Sequence, residues 1–235
     1  MADSSTTHSA LSDSRALLHE GVAALGLELD AARLQKLLDF LALLQKWNKV
    51  YNLTAVRDPA EMLTHHLLDS LAVVAPLLRQ RAAGGNDPAA PFRVLDVGAG
   101  AGLPGAVIAT CLPQAWVTCV DTVAKKAAFQ QQVALELKLP NLRGLHARVE
   151  TIAEGHEVVT SRAFAALSDF TRWSIGALAP DGVWMAMKGR HPADEIAALP
   201  ADAQVFHVEP LTVPGLDAER CIVWMRRPAA NAGGH

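Results

Sequence analysis

RVLDVGAGAGLPGAVIAT, residues 93–110, is the stretch that decides the fold. Arg93-Val94-Leu95-Asp96-Val97 has the apolar, β-branched character of a buried parallel strand. Gly98, Gly100 and Gly102 follow at alternate positions, and an apolar run suited to a helix begins at once. Glycines in this spacing remove side chains from a turn where backbone must come close to a ligand. Pro104 suits the first turn of the helix, where a missing N–H costs little. A strand, a glycine loop and a helix in this order make a pocket for a nucleotide-type cofactor.

Two cofactors compete for that pocket. Gly100-Ala101-Gly102-Leu103-Pro104-Gly105 satisfies G-x-G-x-x-G, the dinucleotide fingerprint, which is a weak match when it stands alone. A pyrophosphate wants free backbone N–H groups and no negative charge beside it. Asp96 sits two residues before the first glycine, and Pro104 removes a donor from the helix start. A carboxylate there suits a ligand bearing an amine and a sulfonium, as S-adenosylmethionine does. The reading is therefore S-adenosylmethionine, with an NAD-dependent oxidoreductase as the rival.

Elsewhere the chain alternates strands and helices from Arg93 onward. Trp116–Val120 reads as a second strand ending at Asp121, Ala124–Lys138 as a helix, and Leu142–His146 as a third strand. Val158–Thr160 is a fourth, Ser168–Ala179 a helix, Val183–Met187 a fifth; Gln204–Leu211 and Cys221–Met225 form a closing pair. Such alternation implies a parallel sheet with helices on both faces. Ending on a hairpin-like pair fits an α/β, Rossmann-like, seven-stranded class I methyltransferase sheet better than a dinucleotide fold.

Ahead of the sheet, Leu34, Leu37, Leu38, Leu41 and Leu44 make one apolar helical stripe. Asp58-Pro59 reads as N-cap and first position of a further helix, expected to end near Pro76 or Leu78. The divisions are a flexible polar tail over residues 1–13, an N-terminal helical cap over 14–80, and a cofactor-binding methyltransferase domain over 92–228. Arg81–Pro91 is a loop by composition, and the final PAANAGGH reads as disordered. With 235 residues, 51% of them hydrophobic, the chain suffices for one α/β core and an appendage. Cys111, Cys119 and Cys221 lie in apolar segments without a C-x-x-C pair, as reduced core residues of a cytoplasmic protein would. Neither a membrane span nor a signal core stands out, and composition requires nothing beyond a monomer.

Ligands of open α/β sheets bind at the carboxyl ends of the strands. Asp121 stands where an acid would accept the two ribose hydroxyls of an adenosyl group. Val149 and Glu150, after the third strand, are candidates to edge the adenine, although Glu150 also suits a helix N-terminus. Ser161-Arg162-Ala163 ends the fourth strand and Lys188-Gly189-Arg190 the fifth. Arg162 and Lys188 are candidates for positioning the reacting groups; no catalytic base is evident.

WNKVYNLTAVRDPAEML, HHLLDS, LDVGAGAGLPG, ARVE, SRAFA and MKGR, in that order, resemble the bacterial ribosomal small-subunit methyltransferase G family, also called glucose-inhibited division protein B. The resemblance runs from about Leu34 to Arg227. It implies transfer of a methyl group from S-adenosylmethionine to N7 of one guanine in the 530 loop of 16S rRNA. Family cofactor positions fall on Gly98, Leu103, Val149, Glu150 and Arg162; with the bottom-up reading the cofactor set is Asp96, Gly98, Gly100, Gly102, Leu103, Asp121, Val149, Glu150 and Arg162. Ala101 stands where the family often has proline, and the GGNDPAAP insertion is longer than usual.

The chemistry agrees with that target. Guanine N7 carries an in-plane lone pair and no proton, so its methylation needs alignment rather than a base. There is no Asn-Pro-Pro-Tyr after the fourth strand, as exocyclic amino groups would want, and no strand-end cysteine for a covalent adduct. A net charge of −3 gives no global basic field, so RNA contacts must be local. Lys46, Lys49 and Arg57 cluster around Trp47 and Tyr51, with Arg162, Lys188 and Arg190 on the strand-end rim and Arg143 and Arg148 as possible additions. Trp47 and Tyr51 fit either base stacking or packing of the cap. His66 and Asp69 share a helix face and read as a hydrogen-bonded pair rather than metal ligands; no metal is expected. The partner is 16S rRNA or the small subunit, with a non-catalytic rRNA-binding or assembly protein on the same fold as a further alternative.

Overall fold

The computed structural model describes residues 4–229, with side chains from residue 13. The cap opens with α1 (Ser4–Ala24) and α2 (Ala31–Tyr51). Asp30 caps α2 by accepting the Arg33 N–H at 2.8 Å, and Asn52 closes it with φ 50°. The leucine stripe is as read: Leu34, Leu37, Leu41 and Leu44 are buried and Leu38 is half-buried. Since α1 starts at Ser4, it occupies most of the stretch expected to be a tail; residues 1–3 and 230–235 lie outside the described residues.

Asp58 caps α3 (Pro59–Met62), accepting from Ala60 N and Glu61 N at 2.9 and 3.0 Å. The chain then runs through a π-helical turn (Leu63–Leu68) into α4 (Asp69–Leu71) and α5 (Val74–Ala83). Pro76 does not end a helix. It lies in the first turn of α5, where no intrahelical donor is needed.

The sheet consists of β1 (Phe92–Val97), β2 (Ala115–Asp121), β3 (Leu142–His146), β4 (His156–Arg162), β5 (Leu178–Lys188), β6 (Gln204–Leu211) and β7 (Arg220–Arg226). Their spatial order is β3-β2-β1-β4-β5-β7-β6, with β1 to β5 parallel and β7 antiparallel to both neighbours. Period-2 alternation splits the core in two. Val94, Val117, Val158, Met185 and Trp224 face the cap together with α6 (Gly105–Cys111) and α7 (Ala124–Glu136). Leu95, Val120, Val159, Trp184 and Val223 face α8 (Leu167–Ser174) and its 3₁₀ continuation (Ile175–Ala177). Ile196, from the short α9 (Ala193–Ala197), packs on that second cluster; this helix had no sequence signal.

β5 begins at Leu178, five residues ahead of the expected Val183. Leu178 pairs with His156 and Val183 with Val158, so the intervening Pro180-Asp181-Gly182 bulges from the ladder rather than preceding it. Between β3 and β4 the only helical piece is a 3₁₀ turn, Val149–Thr151.

Candidate cofactor cleft and nucleic-acid face

The five parallel strands deliver Val97, Asp121, His146, Arg162 and Lys188 to one edge of the sheet. A cleft of about 380 Å³ opens there. Val97 and Gly98 line it from β1, Asp121 to Val123 from β2, Ala147 to Glu150 from β3, Ala163 and Phe164 from β4, and Trp173 from α8.

Asp121 is the polar centre. Its Oδ2 accepts the Gly100 N–H at 3.0 Å and its Oδ1 the Val123 N–H at 2.9 Å, while Lys126 Nζ lies 3.8 Å from Oδ2. These bonds fix the carboxylate and leave each oxygen a second lone pair. The glycine loop owes its shape to left-handed backbone at Gly98, Gly100 and Gly102, with φ 63°, 57° and 81°. At Gly98 a Cβ would also stand 2.2 Å from Phe164 Cδ2. Gln130 steadies the loop by donating Nε2 to Gly100 O at 2.9 Å. Pro104 comes one residue before α6, as its cap rather than its first turn.

Five of the loop's N–H groups are used internally. Ala99 N donates to Val120 O, Gly100 N to Asp121, Gly102 N and Leu103 N to Ala99 O, and Gly105 N to Asp96 Oδ2 at 2.8 Å. A pyrophosphate would find none of these donors free.

Asp96 faces the cap side of the sheet and is fully buried. Among the described residues its Oδ1 has no hydrogen-bond partner. Burial pushes its carboxyl up to about 7, against the Gly105 N–H bond and the charge of Arg162, which both favour ionisation. Neighbouring Cys119 is buried too, and burial raises its thiol well above the usual range, so it offers no thiolate.

The end of β4 divides two neighbours. Ala163 has φ 52°, and Arg162 and Phe164 on either side of it go to different surroundings. The Phe164 ring meets those of Phe170 and Trp173 edge-on, with centroids 6.5 and 5.8 Å away. Arg162 turns to the cap: its Nη1 donates to His65 O at 2.9 Å and Asp69 Oδ2 at 3.1 Å. Arg220 Nε holds the other oxygen, Asp69 Oδ1, at 2.9 Å. Lys188 Nζ braces the segment after Phe164, bonding Ala165 O at 3.0 Å and Glu195 Oε2 at 2.7 Å, and Glu195 also accepts the Leu167 N–H.

Of the residues expected around the cofactor, Gly98, Asp121, Val149 and Glu150 come together in the cleft. Gly100 and Gly102 shape the loop, Leu103 is buried in the cap-side core, and Asp96 and Arg162 stand on the cap side. Phe164, Trp173, Lys126 and Arg148 line the cleft without having been singled out for it. Phe164 had a signal, an aromatic in SRAFA directly after a strand end; Trp173 reads from sequence only as part of a helix.

Of the expected RNA contacts, Lys46, Lys49, Arg57 and Arg190 are exposed. Lys49 and Arg57 flank a groove with Asn48 and Met62 between α2 and α3, and Arg57 is steadied by Asn52 Oδ1 at 3.0 Å. Trp47 packs on Phe129 of α7, with centroids 5.4 Å apart, and carries the outer, exposed Tyr51 at 5.1 Å. Arg143 belongs elsewhere: near the start of β3, it pairs with Glu154 at 3.4 Å, at the opposite end of the sheet from the cleft. His66 and Asp69 do not bond each other. His66 Nε2 meets Thr54 Oγ1 at 2.8 Å, and Asp69 is taken by the two arginines.

The model of the family described as rRNA small subunit methyltransferase G matches residues 33–223. The chain is 70% identical over 211 residues to the ribosomal RNA small subunit methyltransferase G of Acidovorax sp. (strain JS42), covering 89% of this chain and 93% of that one. It is 64% identical over 230 residues to the protein of that name from Verminephrobacter eiseniae (strain EF01-2), covering 93% and 96%. Among solved structures it resembles magnesium protoporphyrin IX methyltransferase from Synechocystis PCC 6803, with TM-score 0.53 and 14% identity over 85% of this chain and 98% of that one. TrmN from Thermus thermophilus has TM-score 0.53 and 21% identity, covering 71% and 53%. At these identities the structures speak for the fold: a class I, Rossmann-like methyltransferase sheet.

Proposed function

The chain belongs to the rRNA small subunit methyltransferase G family, and on that premise we propose that its strand-end cleft holds S-adenosylmethionine while the cap and rim present one guanine of the 530 loop. The protein is an S-adenosylmethionine-dependent 16S rRNA guanine-N7 methyltransferase. The observation that carries the cofactor assignment is Asp121, a fixed carboxylate at the end of β2 with lone pairs left for a ribose diol.

Three features support the fit. The Gly98 backbone offers a surface without a side chain, and Asp96 Oδ1, without a partner among the described residues, leaves a buried acceptor at the end of β1 beside the glycine loop. Ala147 and Val149 give the cleft an apolar side beside Glu150, as an adenine ring and its polar edge require. The internal use of five of the loop's N–H groups speaks against NAD. When bound, the cofactor supplies an electrophilic methyl group on a sulfonium.

The remaining work falls to this chain's own residues. Asp121 and Glu150 orient, Phe164 and Trp173 wall off water, and Arg162 supplies positive charge at the end of β4. No side chain need accept a proton before attack, because guanine N7 has none. Rate then comes from holding the reacting atoms about 3–3.5 Å apart and in line. Lys46, Lys49, Arg57 and Arg190 meet phosphates, and Tyr51 is the exposed aromatic beside them. Lys188 contributes by bracing the Phe164 segment rather than by free charge. The reading places the reaction in the cytoplasm, with the small subunit or its RNA as partner.

The test is transfer of labelled methyl groups to small-subunit RNA, mapped by borohydride and aniline scission. Label at a single guanine N7 in the 530 loop is expected; label at a carbon or an exocyclic nitrogen refutes the assignment. Gly98→Asp is expected to stop transfer while RNA binding persists, which a non-catalytic assembly role does not predict.

A further inference from the structure

Asp69 is 3% exposed, yet its carboxylate is fully engaged by two cations from strands far away in sequence. Such burial of charge is tolerated only when partners satisfy it. Arg162 reaches it from the end of β4, Arg220 from the start of β7. The helix carrying it is shaped for this contact. In the π-helical turn before α4, the Asp69 N–H reaches back to Thr64 O, and the His65 carbonyl accepts Arg162 Nη1 at 2.9 Å. π-Turns of this sort concentrate at functional sites.

Both bonds use the same nitrogen of Arg162. Among the described residues its Nε and Nη2 donate no hydrogen bond, although the side chain keeps 20% exposure. A guanidinium fork held by one nitrogen presents the others in a fixed plane, the geometry that binds a carboxylate through two bonds. Arg162 directly precedes Ala163, which lines the cleft.

We propose that Asp69 is a positioning residue: through Arg220 on one oxygen and Arg162 on the other, it seats the Arg162 guanidinium so that its remaining donors serve the amino-acid carboxylate of the cofactor. The cap thereby contributes to cofactor affinity without touching the ligand. This rests on the reading of Arg162 as a cofactor residue. Neither the periodicity of HHLLDS nor its composition points to this role; it follows from the pairing across 93 and 151 residues.

The experiment titrates S-adenosylhomocysteine calorimetrically into the wild type, Asp69→Asn, Asp69→Glu, Arg162→Ala and the Asp69→Asn/Arg162→Ala double variant, with melting temperatures alongside. Arg162→Ala and Asp69→Asn are each expected to weaken binding about tenfold, the scale of one charge-assisted contact. The double variant should bind no more weakly than Arg162→Ala, and Asp69→Glu, which keeps the charge, should recover part of the loss. If Asp69→Asn melts lower but binds with wild-type affinity, Asp69 merely ties cap to sheet and the proposal fails. Additive losses in the double variant overturn it equally, since Asp69 then does not act through Arg162. Wild-type affinity in Arg162→Ala would sink the underlying assignment of Arg162, and the proposal with it. Should Asp69→Asn not fold, Asp69→Glu decides alone, wild-type affinity counting against the idea and a partial loss for it.

Discussion

Asp121 Oδ2 accepts the Gly100 N–H at 3.0 Å across 21 residues, so one carboxylate both shapes the glycine loop and lines the cleft. Asp121→Ala removes that bond and the one from Val123 N. The expected result is loss of cofactor affinity by tenfold or more, on the order of 1.5–3 kcal/mol per hydrogen bond to a charged group. Calorimetry with S-adenosylhomocysteine checks it. Asp121→Asn, which keeps one oxygen, should fall between.

Gly98→Ala should destabilise the protein by two separable causes. Left-handed backbone costs a residue with a Cβ about 1–2 kcal/mol, and the new Cβ would stand 2.2 Å from the Phe164 ring. Adding Phe164→Ala is expected to recover the ring's share and leave the backbone strain. Denaturant unfolding of the single and double variants measures both; a double variant no more stable than the sum of the singles argues against the clash.

Burial pushes the Asp96 carboxyl up to about 7 in the folded protein, from an ordinary value of 3.8. Between those values the folded state keeps a proton that the unfolded chain has released, so this group makes stability fall as pH rises from about 4 to about 7. His66 acts oppositely. Burial lowers it to about 4 from 6.5, so its contribution is present above about pH 6.5 and is lost on acidification toward pH 4. The two offset each other in the shared window. Asp96→Asn should therefore unmask the His66 slope, with stability rising from pH 4 to 6.5 and flattening above. A profile unchanged from the wild type would contradict the assignment.

Lys49→Ala and Arg57→Ala should weaken RNA binding across sequences. Each should reduce the slope of log affinity against log salt by about 1, as loss of one phosphate contact does. S-Adenosylhomocysteine affinity should not change, because neither residue lines the cleft. Filter binding at several salt concentrations reads the slope; an unchanged slope in both variants places the RNA elsewhere.

Asn141→Ala should cost stability alone. The buried amide donates to Ala109 O, Leu112 O and Ala115 O at 2.9, 3.3 and 2.9 Å, joining the end of α6 to the start of β2. Losing it takes this donor from the Ala109 and Ala115 carbonyls, while Leu112 O keeps the Ala115 N–H; the expected cost is about 3 kcal/mol. Cofactor affinity should persist, because these groups sit at the end of the sheet away from the cleft.

Much of the architecture was legible because local signals agreed. The buried apolar runs of β1, β2 and β7, the Asp58 cap and the spacing of the α2 leucines each follow from a local composition, hydrogen bond or short-range period. Where local signals conflicted, the reading slipped. Pro180-Asp181-Gly182 falls between the expected helix and the expected strand, but the ladder to β4 tolerates it as a bulge, and Pro76 reads as a terminator although it opens a helix. Gly98, Asp121, Val149 and Glu150 could be placed at the cleft because strand ends gather on one edge whatever the order of the strands.

The residues alone thus determined a glycine-loop α/β sheet with a helical cap, and an acid at the end of β2, because periodicity and turn chemistry are encoded locally. Tertiary structure decided which distant groups meet. The order β3-β2-β1-β4-β5-β7-β6 brings Arg220 of β7 and Arg162 of β4 to one carboxylate on the cap. The left-handed turn at Ala163 then separates Arg162 from Phe164, sending charge to the cap and an aromatic wall to the cleft. Neither outcome has a local period to announce it, since both are consequences of strand order and of one residue's backbone angle.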